Sequence, residues 1–414
     1  MAEITEAQVL EQVHDWFHQA WDPSLSLLAW RERLVESGWA VPSWSSQWYG
    51  RDLPAWAGAV AHAAIREAGG VAVPLGGGMG LAAPTMYDHA DDEVKRRFLA
   101  RTLTGELTWC QLFSEPVAGS DLAGLKTTAV RDGDDWVVSG QKVWNTSAHH
   151  ADMGILITRT DWDVPKHAGM TYFVIDMHQP AIEVRPIKQM NYHASFNEVF
   201  LTDARVPDAN RVGEIGGGWR VARGTLAHER SFSTQRSVFF HPDATGRVIE
   251  EAKAEAADYL ETYKWYPQRM GRIDLAVERT RSTGRATDPV IRNELAALLS
   301  FQRAAEWTAG RAKAAQQLGR PPGSEGSIGK LALSHIARAC NDLYTNSGGP
   351  LGMLAGGPGA DDDAIAEVLI STPAQSIAGG TDEIQHNILG ENMLGLPKEP
   401  DPNRGKPFRD ESRL

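Results

Sequence analysis

Three short stretches carry side chains able to bind a ligand or to act on one. The first is Phe113-Ser114-Glu115-Pro116-Val117-Ala118-Gly119-Ser120-Asp121. Gly119 and Ser120 follow a proline-restricted segment, so bare backbone can approach a phosphate there and a hydroxyl can donate to it. A plain turn leading into a sheet uses the same residue types. The second is Gly140-Gln141-Lys142-Val143-Trp144-Asn145-Thr146-Ser147. Residues i and i+2 of a strand share a face, so Trp144 and Thr146 are expected to address one planar ligand, the indole by stacking and the threonine by hydrogen bond. An edge strand with a half-buried tryptophan is the competing reading. The third is Thr225-Leu226-Ala227-His228-Glu229-Arg230, in which Glu229 beside Arg230 reads in isolation as a solvated ion pair. His149-His150 lacks the ligand spacing of a metal site, and no metal is expected.

These stretches must be positioned by regular elements, and the chain divides by periodicity. Its 414 residues fit two or three domains. Residues 1–106 read as helices, with apolar positions at three- and four-residue spacing in Ala7–Trp21, Trp56–Ala68 and Asp91–Leu103. Residues 107–215 hold short β-branched and aromatic runs at Asp135–Ser139, Met153–Thr158, Thr171–Asp176, Ile182–Arg185 and Asn197–Leu201, the texture of an antiparallel domain. Helical patterning returns over 216–396. Within it Leu333, Ile336, Ala337, Cys340 and Tyr344 share one face, as a core-facing helix of a bundle requires. Residues 397–414 are proline- and charge-rich and are expected to form a mobile tail. The fold class is α+β with segregated helical and β domains, and no dinucleotide or P-loop motif occurs.

Composition narrows the function. A net charge of −12 argues against nucleic acid as the main partner. Two cysteines cannot form a disulfide framework, no apolar run reaches membrane-spanning length, and the acidic start is unlike a signal peptide. A cytoplasmic protein that engages no membrane is the expectation.

Taken in order, WCQLFSEPVAGSDLAGLKTTA, GQKVWNTSAHHAD, FNEVFLTDARVP, GGWRVARGTLAHER and AGGTDEIQHNILGENMLGLP resemble the signatures of the acyl-CoA dehydrogenase family over residues 25–397. The resemblance implies an N-terminal helical domain, a central antiparallel β-domain and a C-terminal four-helix bundle, with FAD as cofactor. It also implies a homo-oligomer, a dimer or tetramer, or a heteromer with a sister subunit. By the same resemblance Ser114, Gly119, Ser120, Trp144, Thr146 and Thr381 bind FAD. Thr381 also suits a helix N-cap. The implied reaction is α,β-dehydrogenation of an acyl-CoA to the trans-2-enoyl-CoA, with flavin N5 taking the β-hydride. An electron-transfer flavoprotein or another acceptor then removes the electrons.

Two departures from the family pattern matter. The turn that carries the catalytic glutamate in many members reads Ala378-Gly379-Gly380-Thr381, so Gly379 can offer its N–H to the thioester oxygen but no base. A second family arrangement puts the base on the helix after the β-domain, before an arginine. Glu229 matches that base, and Arg230 is assigned to substrate binding. Glu115, Glu198 and Glu383 fit the role less well. The missing bulk at Gly379 leaves room for a branched or ring-bearing acyl group. The second departure is at Lys264–Asn293 and Thr345–Pro350, where the usual contacts to the partner subunit's FAD are not recognisable. Competing readings are a flavin-dependent oxygenase or oxidase on the same fold, and a non-catalytic subunit of a heteromeric acyl-CoA dehydrogenase.

Overall fold

Thr5 opens the first helix with a capping box: its hydroxyl accepts from Gln8 N while the Gln8 side chain accepts from Thr5 N. The computed structural model describes residues 4–232, 239–317, 320, 323–349 and 360–411. They form two compact units, one of residues 1–187, 194–262 and 402–414, the other of 188–193 and 263–401.

The first unit begins with helices α1 (Glu6–Ala20), α2 (Leu27–Glu36), α3 (Ala57–Glu67), α4 (Ala83–His89) and α5 (Asp92–Leu103). Their apolar faces bury Val9, Trp30, Trp39, Ile65 and Leu99 in one core, and the Trp30 indole donates to Val71 O at 2.7 Å. Asp91, expected inside α5, is its N-cap and accepts from Val94 N.

The sheet that follows is made of β1 (Trp109–Leu112), β2 (Thr128–Asp132), β3 (Asp135–Val143), β4 (Met153–Arg159), β5 (Met170–Asp176), β6 (Ile182–Ile187), β7 (Phe196–Pro207) and β8 (Arg211–Val212). Its order is β6-β7-β3-β2-β4-β5-β8, with β1 beside β4. All five predicted runs are strands. Pairing is antiparallel except β1 with β4 and the single β2–β4 pair Thr128–Arg159. β3 and β7 outrun their apolar cores because they pair with each other from Asp135–Pro207 to Val143–Glu198. Both faces of β4 and β5 are buried, which makes them continuous apolar runs rather than alternating ones.

Helices α6 (Gly218–Phe232) and α7 (Arg247–Tyr263) complete this unit. A Cβ on Gly218 would lie 2.8 Å from Met170 O, so α6 can start against β5 only with glycine there. The sequence reading began the C-terminal bundle at Gly216, but α6 and nearly all of α7 group with the first unit. The segment expected to be mobile also differs from expectation: Phe408–Asp410 forms a helical turn and Phe408 is buried. Proline and charge there mark a strap with one apolar anchor.

The second unit contains α8 (Tyr266–Arg269), α9 (Ile273–Ser282), α10 (Pro289–Gln317), α11 (Glu325–Gly348), α12 (Ala360–Ser371), α13 (Pro373–Ile377) and α14 (Asp382–Ile388). Ala276 of α9, Leu298 of α10, Ile336, Cys340 and Tyr344 of α11, and Val368 of α12 share its core. Leu333 was expected on that face but is exposed, because the stripe at this turn of α11 is narrower than the periodicity suggests. Pro350, the last residue of the stretch read for partner contacts, lies outside the described residues. No helix among the described residues is long and apolar enough to cross a membrane.

The first unit carries a pH-sensitive element. His62 Nε2 lies 2.9 Å from Ala40 O. Burial pulls its pKa from 6.5 down to about 4, and the bonds to Ala40 and Trp39 only partly oppose this. Between those two values the unfolded chain takes up a proton that the folded chain refuses, so stability falls as pH drops through that window. We expect His62→Gln to lose less apparent melting temperature between pH 7 and pH 4.5 than the wild type does. Parallel losses would remove His62 from the account.

Candidate active site

Ser114 and Trp144 are neighbours because Val143 N, at the end of β3, donates to Ser114 O at 2.9 Å. One residue earlier the Lys142 ammonium is completely buried and meets Glu115 Oε1 at 2.9 Å and Phe113 O at 3.0 Å. The Glu115 carboxylate also accepts from Lys126 N at 2.6 Å and Thr127 N at 2.9 Å. Burial alone would raise the Glu115 pKa, but the Lys142 charge and these donors outweigh it and hold it below the usual range. Glu115 is therefore an ionised clamp on both ends of the loop that carries Gly119 and Ser120. Those two residues are exposed, and the space beside Gly119 Cα is open.

Past Val143 the chain leaves the strand. Trp144 has φ +64°, so Trp144 and Thr146 do not share a strand face as expected. The left-handed turn leaves the indole 57% exposed, with its ring 5.7 Å from Phe196 at 89°. Such a φ costs a non-glycine residue about 1–3 kcal/mol and persists only where its surroundings enforce it. Here Asn145 enforces it. Its backbone N–H donates to Asn197 O and its carbonyl accepts from Asn197 N, both at 3.1 Å. Asn145 Nδ2 donates to Gln111 O at 2.7 Å and Asn197 Nδ2 donates to Asn145 O at 2.8 Å. The buried Asn145 Oδ1 has no hydrogen-bond partner among the described residues.

Gln111 joins this turn to α6. Its side-chain amide donates to Glu229 Oε2 at 3.4 Å. Glu229 is half-buried. One helical turn earlier Thr225 is buried in a hydroxyl cluster, 3.0 Å from both Thr85 Oγ1 and Tyr172 OH, which ties α6 to α4 and β5. His228 Nε2 lies 2.9 Å from Asp88. The side chain of Arg230 lies outside the described residues.

Gly379 and Thr381 belong to the second unit. Gly379 and Gly380 have φ +72° and +90° in the turn between α13 and α14, a conformation that favours glycine. Among the described residues, the space where a Gly379 side chain would project is open. Thr381 is the N-cap of α14 and accepts from Ile384 N at 3.3 Å. Asp382, read as a first-turn acid, is in addition a buried counter-charge for Arg338 at 2.8 Å and Lys330 at 3.5 Å. Burial works to raise its pKa, and those cations with their hydrogen bonds keep it low.

The sequence reading missed Gln111, Lys142, Asn145 and Asn197. All four stand inside the stretches that carry the family resemblance. The available signal is a lysine on the same i, i+2 face of β3 as Trp136 and Val138, which calls for a buried counter-charge. Glu198, set aside as a base, lies on β7 with Gln141 Nε2 at 3.5 Å, and Glu383 is in the first turn of α14.

Three family models match the chain: the acyl-CoA dehydrogenase N-terminal domain over residues 1–106, the middle domain over 110–204 and the C-terminal domain over 268–394. The chain belongs to the acyl-CoA dehydrogenase family. Members of this family are FAD flavoproteins of lipid catabolism that oxidise CH–CH bonds. Among relatives, acyl-CoA dehydrogenase IpdE1 of Mycobacterium tuberculosis is 34% identical over 90% of this chain and 88% of its own length. Acyl-CoA dehydrogenase FadE34 of the same organism is 37% identical over 77% of this chain, which spans only 39% of that protein. Among solved structures, the ChsE4-ChsE5 complex from Mycobacterium tuberculosis matches with a TM-score of 0.64 at 24% identity, covering 96% of this chain and 100% of the matched one.

The residues present fit a flavin. An exposed indole held in a left-handed turn offers a flat apolar face, Asn145 Oδ1 is a buried acceptor in that turn, and Gly119-Ser120 is open backbone beside a hydroxyl.

Because Lys142 is fully buried, removing its counter-charge leaves an uncompensated cation. Glu115→Gln should cost about 3–5 kcal/mol in urea unfolding followed by tryptophan fluorescence. The double variant Glu115→Gln/Lys142→Met should recover much of that loss. A cost below about 1 kcal/mol for the single variant would show the pair to be dispensable.

Proposed function

We propose that this chain catalyses FAD-dependent α,β-dehydrogenation of an acyl-CoA, with Glu229 as the base. The observation that carries this reading is the chain of contacts Glu229–Gln111–Asn145, which ties the one carboxylate of α6 to the turn presenting Trp144.

The α-hydrogen of a thioester is a weak acid, and its removal builds negative charge on the carbonyl oxygen. The Glu229 carboxylate accepts that proton, and the Gly379 N–H donates to the oxygen where the charge collects. Arg230, next in the chain, helps to bind the substrate. The β-hydrogen then leaves with its electron pair as the Cα=Cβ bond forms, giving the trans-2-enoyl-CoA. FAD, when bound, supplies the two-electron acceptor for that hydride, and an electron-transfer flavoprotein or similar acceptor returns it to the oxidised state. Trp144 would hold one face of the ring system, Ser114 and Thr146 its polar edge, and Gly119 and Ser120 the pyrophosphate. Thr381, beside the glycine turn, would add a further contact to FAD.

The bare Gly379 turn, with open space where a side chain would project, supports a branched or ring-bearing acyl group. The unrecognised partner-side segments support assembly with a second chain, a copy or a sister subunit, and the two-chain ChsE4-ChsE5 complex supports the same reading.

Glu229→Gln should keep FAD and lower kcat by about 10³-fold in a dye-reduction assay; an unchanged kcat removes Glu229 as the base. Trp144→Ala should raise the FAD dissociation constant about tenfold by flavin fluorescence titration. Full flavin occupancy with an unaltered visible spectrum would rule out Trp144 stacking.

A further inference from the structure

Arg159, at the end of β4, has a buried side chain whose hydrogen bonds, among the described residues, go to backbone carbonyls. Its guanidinium donates to Ala123 O at 2.6 Å, Leu125 O at 3.2 Å and Lys166 O at 2.9 Å. Its own N–H donates to Thr127 O at 2.7 Å. It therefore holds the whole return limb of the loop that begins at Gly119. Lys166, whose carbonyl Arg159 grips, closes the outer side of that loop by pairing with both carboxylate oxygens of Asp121 at 2.9 and 3.1 Å.

One face of the guanidinium is covered by a residue some 250 positions away. Phe408 lies with its ring centroid 3.7 Å from Arg159 Cζ and 5.3 Å from the Trp162 ring. A cation over an aromatic face in a desolvated setting is a strong contact of its kind. The backbone repeats the attachment: Phe408 N donates to Val164 O at 2.9 Å and Arg409 N to Trp162 O at 3.1 Å, while the Arg409 side chain pairs with Asp163. Burial pulls the Arg159 pKa down, and the carboxylate of Glu411 is the largest of the charges that oppose this, ahead of Glu115, Asp121 and Asp161.

We propose that the Pro407–Glu411 segment is an internal brace that sets the position of the Gly119–Asp121 loop, with Phe408 as its positioning residue acting through Arg159 and Lys166. The consequence for FAD rests on the reading, proposed above, that this loop holds the pyrophosphate. The physical logic is that Gly119 and Ser120 are exposed and bond little themselves. Their position depends on what grips the residues on either side, which is Glu115 before them and Arg159 with Lys166 after them. Without Phe408, water reaches the guanidinium and competes for the three carbonyls it holds.

The test compares the purified full chain with Phe408→Ala and Phe408→Tyr. Amide hydrogen exchange, followed by mass spectrometry, reads the brace directly and does not require FAD. Expected in Phe408→Ala is at least tenfold faster exchange in peptides spanning 119–127 and 159–169, with exchange in α11 unchanged. FAD titration is expected to give a dissociation constant raised about tenfold. Phe408→Tyr keeps the aromatic face and should restore both values. If Phe408→Ala does not fold, Phe408→Leu, which keeps apolar bulk without the π face, carries the same two measurements. Unchanged exchange in 119–127 overturns the brace. Faster exchange with an unchanged FAD affinity overturns its link to the cofactor. A wild-type chain that binds no FAD at all overturns the reading of the loop as a pyrophosphate site, while the exchange result still decides the brace.

Discussion

A lysine ammonium with no exposed surface, Lys142, has to find a counter-charge inside the protein, and Glu115 is the one it finds. Two ions taken out of water remain charged only if each is also hydrogen-bonded. That requirement draws in Phe113 O, Lys126 N and Thr127 N. One buried pair thus ties the end of β3 to both limbs of the loop following β1. Ser114 on the entering limb and Trp144 just past β3 become neighbours as a result, and the loop between them is exposed without being loose.

The same strand end sets the chemistry. Asn145 turns the chain out of the sheet, shows the indole to solvent and anchors Gln111, whose side chain reaches Glu229. A base on α6 must be positioned relative to the turn that would stack on a flavin, and the Thr85–Thr225–Tyr172 hydroxyl cluster fixes α6 against α4 and β5. By the family resemblance, Gly379 stands in the turn where many members carry the catalytic glutamate. The function of that glutamate passes, in our reading, to a residue held entirely within the first unit.

Much of this was legible in the sequence. Apolar runs located every predicted strand, and local rules placed Thr381 at a helix start. The errors have identifiable causes. Trp144 and Thr146 share one strand face only if a period of two continues past Val143, where the bonds of Asn145 to Asn197 and Gln111 impose a left-handed residue that no local pattern announces. Leu333 fits the helical stripe by spacing but falls outside the face that α11 buries. Glu115 was weighed only as a proton acceptor, because its partner Lys142 lies 27 positions away and a buried pair is a fact of tertiary structure. Composition reads residues 397–414 as a mobile tail, and it cannot announce that Phe408 within them packs on a buried arginine. Distant partners, not local preferences, decided each of these positions.

The central claim is that Glu229 removes the α-proton. The most direct measurement uses an acyl-CoA whose β-carbon is replaced by sulfur, so that proton removal can occur but hydride loss cannot. Incubated in D2O with the FAD-loaded protein, its α-position should exchange within minutes by NMR, and the Glu229→Gln protein should show exchange slowed by about 10³-fold. Equal exchange rates in the two proteins would contradict the account and place the base elsewhere.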